Sequence, residues 1–168
     1  MKYFRPILLL IVLLLATNEI DAQRGPRARA AVRHADKVHA RRVIRRTAFV
    51  ILAAQKQVRD NKVYTGDLAR AVAHQRLARK LYFRGEFLRA MHQSRRARLL
   101  AVAAIKANKG TETSDMALDK EDEQIMNADP VDDATLDQQL NTESPGYSTN
   151  DEDFVNAVLD DIDIGDMQ

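Results

Sequence analysis

Histidine, aspartate and arginine are the side chains here that could do chemistry. The chain of 168 residues has no Cys and no Trp. That excludes thiol catalysis, disulfides, Cys-ligated zinc and iron–sulfur clusters. Its four histidines are His34, His39, His74 and His92. His34 and His39 are five apart, about 140° around a helix, and cannot chelate one ion together. His74 and His92 could approach across a helical hairpin, but no acidic residue stands near them in sequence. The run Asp160 to Asp166 resembles a calcium loop only in composition, without the Asp-x-Asp-x-Asp-Gly spacing or the later Glu. Ser and Thr form no nucleophile–base pattern. The expectation is a protein that is not an enzyme, with no cofactor, no metal and no small-molecule substrate.

The arginines carry the strongest functional signal. Arg41, Arg42, Arg45 and Arg46 flank Val43-Ile44, and 41/45 and 42/46 are both i, i+4 pairs. Like charges at that spacing repel by a few tenths of a kcal/mol. Arg89, His92 and Arg96 make a second row, with Arg95 and Arg98 beside it. Such a density calls for an anionic polymer, a membrane surface, a protein partner or the chain's own carboxylates. Guanidinium suits bidentate contact with carboxylate or phosphate. A GC-rich coding sequence is the plain alternative source of the arginine bias, and aromatic interleaving for base stacking is absent.

The elements that position these groups divide by charge. Residues 23–110 hold 17 Arg and 6 Lys against four acidic residues, a balance of +19. Residues 111–168 hold 18 Asp and Glu against Lys120 alone, a balance of −17. The whole-chain value of +2 describes neither half.

The basic half is predicted to be an all-α module of three helices. Residues 27–61 lack Gly and Pro, and Ala40, Ile44, Ala48, Ile51, Ala54 and Val58 recur at helical spacing. Residues 48–54 are apolar all round, which points to burial on several sides. Thr65-Gly66-Asp67 supplies turn and cap chemistry for a helix over 68–83. Gly85 interrupts, and a third helix is expected over 86–107, closed by Gly110. Phe49, Leu52, Leu77, Leu81, Phe87 and Ile105 are the expected core. A module of this size has a thin margin of stability, so a partner or a second copy could contribute.

The acidic half is expected to be largely disordered. Only 11 of its 58 residues are Leu, Ile, Val or Phe, and its net charge is high. Two islands depart from this. Asp129-Pro130 with Val131, Ala134 and Leu140 reads as a capped helical turn or two. Thr149-Asn150-Asp151-Glu152 fits a capping box. Behind that box Phe154, Val155, Val158, Leu159 and Ile162 form an apolar face that could dock on the module or on a partner.

Residues 74–102 resemble a single tetratricopeptide-type helical hairpin. Leu77-Ala78 and Gly85 stand where that motif has its Leu-Gly pair and inter-helix Gly, and Phe87, Ala90 and Ala97 follow at its spacing. His74, Leu81, Ser94 and Val102 depart from it. The resemblance implies a protein-binding scaffold, not catalysis, although one repeat is too few for a solenoid.

The N-terminus reads as an export signal. Lys2 and Arg5 precede an apolar run from Ile7 to Leu15, and a polar stretch ends in the small residue Ala22. The run is about half the roughly 20 residues a membrane span needs. Cleavage after Ala22 would leave Gln23 first, in a periplasmic or secreted protein. A retained signal anchor is the other reading.

Two functions stay open on this evidence. One is an exported helical interaction or adaptor protein whose basic module is screened by or docked with the acidic tail. The other is a cell-envelope polyanion binder, for anionic lipid, acidic polysaccharide or nucleic acid, held off by that tail.

Overall fold

The computed structural model describes residues 26–165, with side chains from Arg33 onward. The export segment at 1–22 and the calcium-like residue Asp166 lie outside the described residues. Five α-helices occur in chain order: α1 (Pro26–Asn61), α2 (Asp67–Phe83), α3 (Phe87–Ala107), α4 (Lys120–Asn127) and α5 (Asp133–Glu143). Short 3₁₀ turns fall at Ser114–Met116, Asp151–Asp153 and Asp160–Ile162. No strand occurs among the described residues, so the protein is all-α. The compact body comprises residues 36–168, of which those to 165 are described. Residues 26–35 ahead of it are the first turns of α1.

Helix α1 buries the alanine-rich stripe that its sequence spaces three and four apart. Ala40, Ile44, Ala48, Ile51, Ala54 and Val58 are all within 4% of full burial. Small residues let helix axes approach, and α2 and α3 pack along each other as a hairpin. Gly85 turns that hairpin at φ 79°. At the end of α3, Lys109 takes the left-handed conformation (φ 61°) and the Gly110 amide donates to the Ile105 carbonyl at 2.9 Å. Gly110 is needed for room: a Cβ there would meet Ile105 Cγ2 at 2.5 Å.

Two of the expected core residues are not core. Phe49 is 63% exposed and Leu52 43% exposed, whereas Leu77, Leu81 and Ile105 are buried and Phe87 is half-buried. The all-apolar run at 48–54 is therefore covered on one side only. Its buried side is Ala48, Val50, Ile51 and Ala54.

The acidic half departs furthest from expectation. Instead of a disordered tail, residues 111–165 fold over the three long helices. Of its eleven large aliphatic and Phe residues, Leu136, Leu140, Phe154, Val155, Leu159, Ile162 and Ile164 are buried. Phe154, Val155, Leu159 and Ile162 share one core with Ile51, Val58, Leu68, Val72, Ala101 and Ile105. Met126, Leu140 and Ile164 join a second core with Ile44, Leu77, Leu81 and Met91. The low apolar content forbids a core made by this segment alone. It does not forbid docking onto apolar area supplied by the basic half.

Candidate functional site

The basic and acidic halves meet through a line of ion pairs. On α1, Arg42 Nη2 lies 2.5 Å from Asp122 and 3.3 Å from Glu121. Asp122 is itself buried, and His39 Nδ1 stands 3.3 Å from it. Arg46 pairs with Asp119, whose carboxyl it holds below the usual carboxylate range. Arg41 donates to the Gly165 carbonyl at 3.1 Å, and Arg45 lies half-buried on the same helix.

The second row, on α3, meets the start and end of α5. Arg96 makes a two-pronged contact with Asp137, both prongs at 2.8 Å, and reaches Asp133 at 3.0 Å. Arg95 contacts Asp133 at 3.3 Å. Arg89 pairs with Glu143 and Glu86, and Arg84 reaches Glu143 at 3.2 Å. Asp137 is held below its ordinary value chiefly by Arg96, with burial opposing. Where both groups are half-exposed each pair contributes roughly 0–1 kcal/mol. The two-pronged, partly buried Arg96–Asp137 pair has the best geometry of the set.

Arg98 is not a surface residue, and this corrects its reading as an anion contact. It is 3% exposed and donates from Nε to Thr47 Oγ1 at 3.1 Å, from Nη1 to the Ala117 carbonyl at 2.9 Å and from Nη2 to the Val43 carbonyl at 3.3 Å. Among the proposed docking residues, Phe154, Leu159 and Ile162 are buried, but Val158 is 79% exposed. The segment expected to present them as a helix runs through turns, so helical spacing misplaces Val158.

Several contacts had no signal in local sequence. Asp151, 1% exposed, accepts from the amides of Thr65 at 2.9 Å, Gly66 at 2.8 Å and Ala69 at 2.9 Å. A carboxylate thus closes the N-terminus of α2, where the helix dipole and orphan N–H groups favour negative charge. Gly66 sits there at φ 79°, and a Cβ on it would lie 3.0 Å from the Thr149 carbonyl. Buried Gln75 donates to the carbonyls of Ile44 at 2.8 Å and Ile162 at 2.9 Å. Gln55 donates to those of Phe154 at 2.6 Å and Ala157 at 2.9 Å. The reading of Asp151 as part of a capping box placed it on its own segment. Its actual partners lie more than 80 residues earlier.

The two hairpin histidines do different things. His74 is buried between Gln93 Oε1 (2.7 Å) and Asp137 Oδ1 (3.0 Å), an acid supplied from 63 residues away. His92 is buried with neither ring nitrogen partnered. Burial pushes both below the usual imidazole value, and Arg95 adds to the effect on His92. No group of three or more metal-binding side chains forms among the described residues. None of the described helices is long and apolar enough to cross a membrane.

Comparison with protein-family models, with curated proteins and with solved structures finds no match for this chain.

Proposed function

We propose that this chain is an exported, non-enzymatic helical interaction protein whose basic helices are docked with and neutralised by its own acidic segment. The observation that carries the reading is the matching of rows. Arg42, Arg46, Arg89, Arg95 and Arg96 each face a carboxylate from residues 119–143. The place of an external polyanion is thereby taken in cis. What the folded body leaves toward solvent is an apolar strip on α1, with Val38 51%, Phe49 63% and Leu52 43% exposed. A strip of that kind suits a protein surface, either another protein or a second copy of this chain.

The test uses full-length processed protein against native envelope extract. A protein captured by the wild type and lost with Phe49→Ser/Leu52→Ser supports the reading, as does passage through heparin at physiological salt. Sedimentation reports whether the captured partner is a second copy. The rival reading, a polyanion binder held off by its acidic segment, rests on the same ion pairs. It predicts strong heparin retention once Asp133, Asp137 and Glu143 are made amides, with no protein partner captured.

A further inference from the structure

A cleft of about 550 Å³ opens between α3 and the strap of residues 112–127 that crosses it. Leu99, Val102, Met116, Leu118 and Met126 give it apolar walls. Leucine and methionine side chains adapt readily to flexible apolar guests, and the volume falls within the usual span of small-molecule sites. Arg98 also lines this cleft. Its guanidinium has five N–H groups, of which three donate to Thr47, Ala117 and Val43. Among the described residues no carboxylate lies within 4.0 Å of it, unlike Arg42, Arg89, Arg95 and Arg96.

The other charges at the cleft do not supply that partner. Glu112 is taken by Lys106 at 2.6 Å, and Arg95 is turned to Asp133. Glu123 is exposed on α4. Burial pushes the Arg98 guanidinium down to about 10, with Arg46 acting in the same direction and Asp122 and Asp119 opposing. At neutral pH it still carries its charge. A buried cation held only by neutral acceptors, at the edge of an apolar cleft, is matched by an anionic group joined to an apolar chain.

We propose that this cleft binds a small amphiphile with one carboxylate head and an unbranched apolar tail, the head against Arg98 and the tail along Leu99, Val102 and Met126. The site is independent of the apolar strip on α1.

Decanoate and decanol, both below their aggregation limits, are the probes, titrated calorimetrically into full-length processed protein. Decanoate is expected to bind saturably at one site and at least about tenfold more tightly than decanol, as a charge-assisted hydrogen bond implies. Ala103 is exposed on the same cleft wall, so Ala103→Phe fills the cleft from outside the core. It is expected to abolish decanoate binding and leave the melting temperature within a few degrees. Arg98→Met should equalise the two probes. Should that variant not fold, the comparison of probes on wild type and on Ala103→Phe decides alone. Unsaturable uptake, equal affinity for the two probes, or undiminished binding by Ala103→Phe overturns the proposal.

Discussion

Helices α1, α2 and α3 put 36, 17 and 21 residues of the basic half into regular structure, while α4 and α5 of the acidic half have only 8 and 11. The basic half satisfies its backbone within its own helices and buries alanine stripes against itself. The acidic half leaves much of its backbone in turns, and several of its carbonyls are met by Gln55, Gln75, Gln93 and Arg98 from the other half. Disorder rules based on composition ask whether a segment can bury enough surface alone. Here the apolar area and the countercharge come from elsewhere in the same chain, so a segment poor in large apolar groups still folds.

The largest test of this contrast removes one side. Ending the chain at Gly110 strips Phe154, Val155, Leu159 and Ile162 from a core they share with α1, α2 and α3. Cooperative thermal unfolding followed by circular dichroism should disappear. A truncated chain that melts like the full one would make the basic half self-sufficient. Next come single side chains. Ile162→Ala should cost about 2–5 kcal/mol in denaturant unfolding. Leu52→Ala should stay within about 0.5 kcal/mol despite its place in the most apolar run. Equal effects would erase the distinction. Asp151→Ala removes the acceptor of three backbone amides, and about 1–3 kcal/mol should be lost. If Asp151→Ala unfolds like wild type, the acidic half does not brace α2.

The smallest effect is pH dependence, and its sign separates the halves. His74 and His92 of the basic half have lowered values when folded. The unfolded chain therefore binds their protons first. Their contribution is complete above about 6.5 and is lost as pH falls below it. Asp119, Asp132 and Asp137 of the acidic half are also lowered. Their contribution is complete above about 3.9 and is lost only as pH falls further. Unfolding free energy should thus drop in two stages on acidification. His92→Leu should flatten the first stage by about 1 kcal/mol. A single drop near pH 4, unchanged by that substitution, would show that the histidines play no part.

Local sequence was most informative where structure is local. The ends of α1, α2 and α3 follow from Gly and Pro placement and agree with the structure to within a residue. The buried stripe of α1 follows from its periodicity. Leu52 and Phe49 misled because an all-apolar helical run does not say which of its sides has a neighbour. Helix α4 went unseen since Lys120–Asn127 is mostly charged, with Met126 its one buried apolar residue. The arginine rows were visible as rows. Their pairing with Asp122, Asp137 and Glu143 was not, because opposite-charge blocks fix no register. Arg98 looked like its neighbours Arg95 and Arg96 and differs only in the face of α3 it occupies.

The carboxylate of Asp151 at the head of α2 has a consequence for the order in which the molecule can be completed. Synthesis delivers α2 more than 80 residues before the acid that closes it, and the Arg41 contact to Gly165 spans 124 residues. Contacts of such separation slow folding, because long loops must close before they are rewarded. While the last stretch is still being made, the amides of Thr65, Gly66 and Ala69 have no native acceptor, and the shared core lacks Phe154 and Ile162. The nascent chain is thus kept from locking early. That delay matches the needs of a polypeptide threaded unfolded through a membrane channel, with its final residues acting as the keystone on the far side.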